Sequence, residues 1–432
     1  MLLEERDTLM TMTCRKPSPR AGSRRISKKL AVAGDSVCAR GMPALTRNVA
    51  DASFSPPDQR GWMPWIENED FCSQFMQLLA VAQETGAISD CLTTAARIPP
   101  GDDESWYREW KNTAETNRER GDLAFAAGNI VTAQANWLRA SNYFRTAEVF
   151  LKFDDARRRP LLEKMRASSG RYLQHMSPPG EIVEITNFDG GAIEGYFLPA
   201  VGATPRMPVV LCIGGPEHFK DEHLYKMRRH ARDRNLSLLL VDLFDPGTFE
   251  PKKLFGRHDA AMSIESCVDY LIDRGDVDEQ RIAIYGEGLG ASLATQAAGY
   301  DRRFSAAVCD GGMLDSLQRA FSFRQFVGGD DCKSIMRNIE GLKLGSAAKR
   351  IGCPILVTIG EGDGFDATQA ADFCNSLKVA GSNISLKVFS HPERAAFNAQ
   401  SPDPTIANEF VFDWIADRLR QNAGQNSTGM DK

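Results

Sequence analysis

The sequence has no apolar run near the roughly 20 residues of a membrane-spanning helix. Its N-terminus lacks the basic start and apolar stretch of a signal peptide. An excess of one charge is missing as well, since a formal net charge of -5 over 432 residues gives no general attraction to nucleic acid or anionic lipid. We therefore expect a cytoplasmic protein that binds neither nucleic acid nor a membrane.

Patterns for metal binding and for disulfide frameworks are also lacking. The ten cysteines form no C-x-x-C pair, and the six histidines do not cluster. We expect reduced thiols inside the protein, no metal site and no organic cofactor. The partner that remains is a small-molecule substrate.

Composition and periodicity divide the chain into four regions. Residues 1–60 include a segment rich in Arg, Lys, Ser and Pro and are predicted to be a disordered basic arm. Residues 61–178 have helical periodicity, and residues 179–420 alternate strand-like and helical segments. The polar segment 421–432 is predicted to be a disordered tail. The second region is thus an all-helical cap domain, and the third is an α/β domain.

Within the helical region, two helices are expected to meet at Ala127-Gly128-Asn129, because Gly followed by Asn ends one helix and starts the next. Aromatic residues recur on the helix faces and are mostly expected to be core. If Trp106 and Trp110 were exposed, they would favour a homodimer.

The third region opens with two strand-like segments, 181–185 and 194–198, joined across Asp189-Gly190-Gly191 as a β-hairpin. Short apolar runs separated by helical stretches follow. Continuous apolar strands that alternate with helices predict a mainly parallel sheet with helices on both faces.

One of these strands, residues 281–285, runs into Gly286-Glu287-Gly288-Leu289-Gly290. The nucleophile elbow of α/β-hydrolases has the form G-x-S-x-G at such a strand-to-helix turn. Here the serine position is Gly288. A dinucleotide fingerprint needs G-x-G-x-x-G in the first βα unit, whereas this turn follows the third parallel strand, about 70 residues after Gly214-Gly215.

Further motifs carry a specific resemblance. They are the cap helix segment 139–144, the loop Gly214-Gly215 followed by Lys220-Asp221-Glu222, and the segments 277–282, 360–363 and 412–414. The chain resembles the α/β-hydrolases with an N-terminal helical cap, which include fungal polyketide-shortening hydrolases, 2,6-dihydroxypseudooxynicotine hydrolases and FrsA-like proteins. The resemblance implies the α/β-hydrolase fold, with a Ser-Asp-His triad in intact members that cleave esters or carbon-carbon bonds next to ketones.

Carried over residue by residue, that triad is incomplete. The acid is retained as Asp363, and the nucleophile position is Gly288. When the family's histidine-bearing turn is aligned with this sequence, the position of the histidine is occupied by Asn398, so the base is lost as well. His391, directly after the last strand, is an alternative from a shifted register.

Other candidate residues surround the elbow. Leu289 is one candidate oxyanion-hole donor, and because Pro216 has no N–H group the second is Gly215 or, as an alternative, Glu217. Glu287 is a candidate general acid or base if burial raises its pKa, or else a member of a salt bridge. In the cap motif, Asn142 and Tyr143 are candidate substrate-binding residues.

Three functions remain open at this point. The first is an enzyme of specialised or degradative metabolism that acts on a small activated carbonyl compound, such as a polyketide-like or aromatic ketone, without a covalent serine intermediate. The second is a catalytically dead pseudo-hydrolase with a binding or regulatory role. The third is a hydrolase in which activated water replaces the nucleophile for ester or C–C cleavage, with His391 and Asp363 as its base pair.

Overall fold

The computed structural model describes residues 68–85, 87–152, 155–202, 204–215, 218–243, 257–311, 350–360, 367–390 and 404–427. The described helices of the N-terminal half are α1 (Glu69–Thr85), α2 (Ile88–Ala95), α3 (Asp103–Ala126), α4 (Ile130–Glu148) and α5 (Arg158–Gln174). Among the described residues of this region, no strand lies between them. The expected helical cap is thus present in the described part of that region.

Local sequence signals set the ends of the two longest cap helices. Asp102 caps α3 by accepting a hydrogen bond from the Ser105 amide at 3.0 Å. The helix ends at Ala126, and Gly128 takes a positive φ of 79° before α4 begins. The predicted turn at residues 127–129 is therefore confirmed.

The cap has an aromatic core of its own. Trp106 and Trp110 are both 0% exposed, and the Trp106 indole donates to the Thr146 carbonyl at 2.7 Å. Phe71 packs on Trp106 with ring centroids 4.6 Å apart. The idea that these two tryptophans form an exposed dimer surface is wrong, because α1, α3 and α4 bury them against one another.

The C-terminal half forms one eight-stranded sheet. Its strands are β1 (Glu181–Thr186), β2 (Ala192–Leu198), β3 (Met207–Ile213), β4 (Ser237–Val241), β5 (Val277–Glu287), β6 (Phe304–Asp310), β7 (Ile355–Gly360) and β8 (Ile384–Phe389). They lie in the order β1-β2-β4-β3-β5-β6-β7-β8, with the β1-β2 and β2-β4 pairs antiparallel and the others parallel. The hairpin and the parallel sheet match the sequence prediction.

Helices cover both faces of this sheet. They are α6 (Lys220–Arg232), α7 (Arg257–Asp273), α8 (Leu289–Tyr300), α9 (Ala367–Val379) and α10 (Pro404–Ser427). Ile282 and Ile284 of β5 pack in the cluster that holds α7, α8 and α9, whereas Ala283 and Tyr285 pack with α6, α10 and the cap helices α4 and α5. Since side chains alternate along a strand, Glu287 follows Tyr285 onto the α6 face.

Two predictions about the ends of the chain differ in their outcome. Helix α10 runs to Ser427, into the segment 421–432 for which the polar composition predicted disorder. The predicted basic arm, residues 1–60, lies outside the described residues. Among the helices that the structure describes, none has both the length and the apolar character of a membrane span.

Candidate active site at the β5–α8 elbow

The turn between β5 and α8 has the strained backbone of an elbow. Gly288, the single residue between the two elements, has φ 60° and ψ -125°, a conformation that residues with a Cβ rarely adopt. Its amide donates to the carbonyl of Asp310 at the end of β6, at 3.1 Å. The elbow thus holds position 288 at the carboxyl edge of the sheet with no side chain on it.

The flanking glycines are required by close backbone approaches. A Cβ on Gly286 would lie 2.2 Å from the Gly290 carbonyl oxygen, and a Cβ on Gly290 would lie 2.5 Å from the Ile213 carbonyl oxygen. Neither distance is compatible with a real side chain. The G-x-G-x-G pattern therefore reflects a helix start packed directly on β3 and β5, which is the geometry of the elbow motif.

Glu287 lies at the centre of a buried group of charged side chains. The residue is 5% exposed, and its carboxylate contacts three side chains of the α6 segment. His223 Nε2 lies 3.3 Å from Oε2, while Lys226 Nζ and His218 Nδ1 lie 3.4 and 4.0 Å from Oε1. This carboxylate is therefore paired as well as buried.

These partners decide the ionisation of Glu287. Burial on its own raises the pKa of the carboxyl, but the charge that His218 carries when it is protonated, the charge of Lys226 and the His223 hydrogen bond outweigh burial and hold the pKa well below its ordinary value. The raised pKa that a role as general acid would require is therefore absent. The alternative, a salt-bridged carboxylate, is what the structure contains.

A second carboxylate, Glu222, extends the group towards the cap. Its Oε2 lies 3.4 Å from His218 Nδ1 and 3.6 Å from Lys226 Nζ, and its Oε1 accepts from Arg145 of α4. Burial opposes ionisation, but Arg145, His218 and Lys226 together lower the pKa of Glu222 far below its ordinary value. Both carboxylates around the imidazole of His218 therefore stay negative.

The ion pairs continue inside the cap. Arg145 Nη1 donates to Glu148 at 3.0 Å, and Glu148 accepts in turn from Arg158 of α5. Lys226 remains protonated, because the attraction of Glu287 and Glu222 outweighs the cost of burial and raises its pKa. A continuous chain of paired charges thus connects the elbow with the cap helices.

His218 and His223 were not recognised from the sequence. His218 follows β3 in the loop that begins at Gly214, and its side chain keeps 12% exposure, whereas the side chain of His223 is 0% exposed. Positions 218, 222 and 226 recur at four-residue spacing, which is typical of one helix face, and His218 lies just before the start of α6 at Lys220. That spacing, directly after the Gly214-Gly215 loop, was the available signal.

Asp310 is a third buried carboxylate at this edge, beside Glu287 in the β5–β6 register. It accepts hydrogen bonds from the Tyr285 hydroxyl at 2.5 Å and the Thr358 hydroxyl at 2.6 Å. Burial, reinforced by the charge of Asp310, raises the pKa of Tyr285 well above its ordinary value. These contacts tie together the ends of β5, β6 and β7.

The candidate oxyanion donors are also at this edge. Leu289 is the first residue of α8, so its amide lies at the N-terminus of that helix. Gly215 follows β3, which pairs with β5 through Ile213 and Gly286. The two backbone segments therefore lie close together beside Gly288, while Pro216 and Glu217 lie outside the described residues.

A cleft opens between α1, α4 and α6, next to the charged group. It has about 370 Å³ of empty space, part of it open to solvent, and Asn142, Arg145, Glu222 and Lys226 are among its lining residues. Tyr143 points elsewhere, since it is 1% exposed in the cap core and its hydroxyl lies 3.8 Å from Cys91 Sγ. Of the two candidate substrate-binding residues, only Asn142 lines this cleft.

Similarity to known proteins agrees with this architecture. Residues 98–328, more than half of the chain, match the family described as esterase FrsA-like. The chain belongs to the FrsA-like esterase family. Its residues 259–420 also match the prolyl oligopeptidase family.

Fungal relatives of this FrsA-like chain are named as hydrolases. Hydrolase LUC6 from Fusarium sp. is 31% identical over 254 residues, which cover 56% of this chain and 60% of that protein. The 20-hydroxy-prefusarin hydrolase FUS2 from Gibberella moniliformis (strain M3125 / FGSC 7600) is 31% identical over 264 residues, covering 57% and 62%. The chain thus spans about 60% of the length of these relatives.

The solved structure of 2,6-dihydroxy-pseudo-oxynicotine hydrolase superposes with a TM-score of 0.63 at 19% identity, covering 79% of this chain and 95% of that chain. At this identity the likeness establishes the α/β-hydrolase fold alone. The predicted fold class and the relationship to FrsA-like hydrolases are therefore confirmed.

The remaining triad positions of this FrsA-like chain stay predictions. Asp363, His391 and Asn398 all lie outside the described residues. Within the part of the chain that is described, no group of three or more His, Cys, Asp or Glu side chains could hold a metal ion. The site that can be described consists of the elbow, the two carboxylates with their histidines, and the adjoining cleft.

Proposed function

We propose that the protein is an α/β-hydrolase-fold enzyme that acts on a small activated carbonyl compound by acid–base catalysis, without a covalent serine intermediate. The observation that carries this proposal is the elbow itself. Position 288 has the strained conformation of a nucleophile elbow but bears glycine, while five ionisable side chains converge beside it. Convergent titratable groups with shifted pKa values are typical of catalytic sites.

In this proposal His218 exchanges the proton. It is flanked by Glu222 and Glu287, and both carboxylates stay ionised, so they orient the ring and stabilise the imidazolium that forms. Neither carboxylate is itself the proton carrier. Partial exposure of His218 supports access to a substrate, whereas His223 is fully enclosed and serves to hold Glu287.

The reaction begins with removal of a proton from the carbon next to the carbonyl group. The electron pair moves onto the carbonyl oxygen, which becomes an enolate, and the proton passes to His218. The amides of Leu289 and Gly215 are the candidate donors for the enolate oxygen, because the N-terminus of a helix favours negative charge. Return of the proton to carbon regenerates the ketone, and return of the proton to oxygen gives its enol tautomer.

A second candidate is hydrolysis by activated water. It is favoured by the names of relatives such as hydrolase LUC6 and 20-hydroxy-prefusarin hydrolase FUS2. Glycine at position 288 removes the side chain that would otherwise occupy that space, and His391 with Asp363 would activate the water. This second function differs from the first in its products, since it adds water across an ester or a C–C bond.

The substrate class is part of the proposal. FUS2 is named for its action on 20-hydroxy-prefusarin, and the likeness supports a polyketide-like or aromatic ketone for this chain. A role in specialised or degradative metabolism, a cytoplasmic location and the lack of a cofactor remain proposals of the same standing. A homodimer is a further proposal, and the burial of Trp106 and Trp110 removes the exposed aromatic surface that would have favoured it.

Ethyl 2-methylacetoacetate in D2O separates these functions, because it carries an activated C–H group, a ketone and an ester. Proton NMR follows exchange at carbon 2 and the release of acetate or ethanol. Exchange above the buffer rate without cleavage is the expected result. Cleavage would support the water-dependent hydrolase. The absence of both exchange and cleavage would overturn the enzyme proposal in favour of a binding protein.

A further inference from the structure

The cleft between α1, α4 and α6 is lined mostly by polar side chains. Eight of its eleven lining residues are polar or charged, and each of the three helices contributes at least two of them. Clefts that bind apolar ligands are lined predominantly by hydrophobic and aromatic side chains. The lining of this cleft therefore favours a ligand that is itself polar over most of its surface.

Several of these polar side chains have no partner within the described part of the protein. The amide groups of Gln74 and Gln77 on α1 and the hydroxyl of Tyr225 on α6 form no hydrogen bond with any described residue. Both glutamines are partly exposed. Tyr225 is only 6% exposed, and its hydroxyl belongs to that accessible part. Groups that can both donate and accept hydrogen bonds are thus left unused on two walls of the cleft.

The charged side chains of the cleft, in contrast, are already paired. Arg145 contacts Glu222 and Glu148. Lys226 contacts Glu222 and Glu287. An anionic ligand would lie next to Glu222 and a cationic one next to Arg145 and Lys226, and neither would find an unpaired counter-charge in the lining. Because desolvating a further charge without a new partner is costly, the cleft is suited to an uncharged ligand.

We infer that this cleft binds an uncharged ligand rich in hydroxyl groups, such as a cyclic polyol or a sugar ring, through Gln74, Gln77 and Tyr225. Hydroxyl groups donate as well as accept hydrogen bonds, so they match side-chain amides and a phenol in both directions. The empty space of about 370 Å³, part of it open to solvent, is small for a ligand cleft and corresponds to a ligand of about one ring. The inference goes beyond the proposed function, since it requires no step of the reaction at the elbow.

Three six-membered carbon rings test this inference on the native protein by saturation-transfer NMR titration. In myo-inositol every carbon bears a hydroxyl group, cyclohexanol carries a single one, and quinate adds a carboxylate to a hydroxylated ring. We expect myo-inositol to bind about tenfold more tightly than either of the other two, because only it offers several hydrogen bonds without adding charge. Equal binding of myo-inositol and cyclohexanol, tighter binding of quinate, or no binding of myo-inositol would each overturn the inference.

Two methionine variants test where the ligand binds, because methionine keeps the length of a glutamine side chain and removes its amide. Gln74→Met and Gln77→Met should each weaken myo-inositol binding by about threefold to tenfold. Their melting temperatures should stay at the native value, since these amides have no partner in the described protein. Gln174→Met is the matched control, because Gln174 is exposed at the end of α5, outside the cleft, and should bind as the native protein does. Native affinity in both cleft variants would contradict the assignment.

Titration of His218→Gln with myo-inositol separates this inference from the proposed function. The acid–base proposal requires that the variant lose proton exchange. The cleft inference requires that it keep the native affinity for myo-inositol, because His218 is not among the residues that line the cleft. Loss of that affinity in His218→Gln would assign polyol binding to the elbow, and the cleft inference would then fail.

Discussion

The two faces of the sheet are equally well buried, yet their side chains differ at the end of β5. On the face covered by α7, α8 and α9, Ile284 and Leu271 belong to a hydrophobic cluster, and the buried polar side chains of α7 and α8 are uncharged. On the face covered by α6, the same strand ends in Glu287, which is surrounded by two histidines and a lysine. The first face is packed like an ordinary protein core, whereas the second buries charged side chains that a stable core does not require.

Stability alone gives no reason for that difference. Burying a charged pair costs desolvation energy that its attraction repays only in part, and apolar replacements are often as stable. The α6 face therefore carries its charges for another reason, and their position beside an elbow supports a site of reaction. The comparison leads to four predictions, which run from the largest expected effect to the smallest.

The largest effect is expected for His218→Gln. We predict a 10²- to 10⁴-fold loss of kcat in the deuterium-exchange assay, the usual contribution of a general base, with little change in KM. His175→Gln is the matched control, because this partly exposed histidine lies on the cap and contacts the Arg171 carbonyl. Equal rates for His218→Gln and the native protein would remove the acid–base role from the α6 face.

Glu287→Gln tests the ion pairs of the same face. At pH 7 we expect a loss of about 3–5 kcal/mol in the free energy of unfolding, because Lys226 and the histidines lose a buried partner. Glu163→Gln on the surface, where Glu163 pairs with Arg159 at 3.2 Å, should cost less than about 1 kcal/mol.

The loss should also depend on pH with a defined sign. Because the folded pKa of Glu287 is depressed, its contribution is fully present above the unfolded pKa and disappears as the pH falls through the folded pKa. Denaturant unfolding of the native protein and of Glu287→Gln should therefore converge as the pH falls from about 5 towards the acid limit. A difference that grows below pH 5 would show that the carboxyl is protonated in the folded state.

Leu271→Ala is the counterpart on the apolar face. Leu271 is 0% exposed in the cluster beneath α7, so we expect a loss of about 2–5 kcal/mol in the free energy of unfolding. The kcat of the folded fraction should stay within about twofold of the native value. A loss of kcat comparable with that of His218→Gln would mean that the two faces do not differ in function.

The smallest effect is expected for Gly288→Ala. A Cβ at φ 60° and ψ -125° costs about 1–3 kcal/mol of backbone strain. Exchange should persist within about tenfold, because the acid–base proposal needs no atom at position 288. Gly275→Ala, where an added Cβ meets nothing within 4 Å, is the control for stability. A much larger loss of rate in Gly288→Ala than of stability would favour a water molecule at that position.

The architecture could be predicted from the sequence because it rests on local, periodic signals. The hairpin turn at Asp189-Gly190-Gly191, the apolar strands and the glycines of the elbow each depend on residues within a few positions. Gly286 and Gly290 in particular have no tolerated replacement, so their spacing identifies the turn.

The site could be predicted less well, because its properties depend on contacts between distant segments. The pKa of Glu287 is lowered by residues 61 to 69 positions earlier in the chain, and Arg145 joins them from the cap. Burial alone would have raised that pKa, so the sequence left both a general acid or base and a salt-bridged carboxylate open at this position. Trp106 and Trp110 are buried for the same reason, since helices that cover them come from other parts of the cap.

The most direct test of the central claim is intact-mass analysis of the native protein after an excess of a serine-directed fluorophosphonate, with proton exchange measured on the same sample. Gly288→Ser, treated in parallel, restores the side chain that the elbow lacks. The account predicts no mass increase on the native chain and an unchanged exchange rate. A single covalent adduct on the native chain, with loss of exchange, would contradict it and would show that a displaced serine carries the reaction.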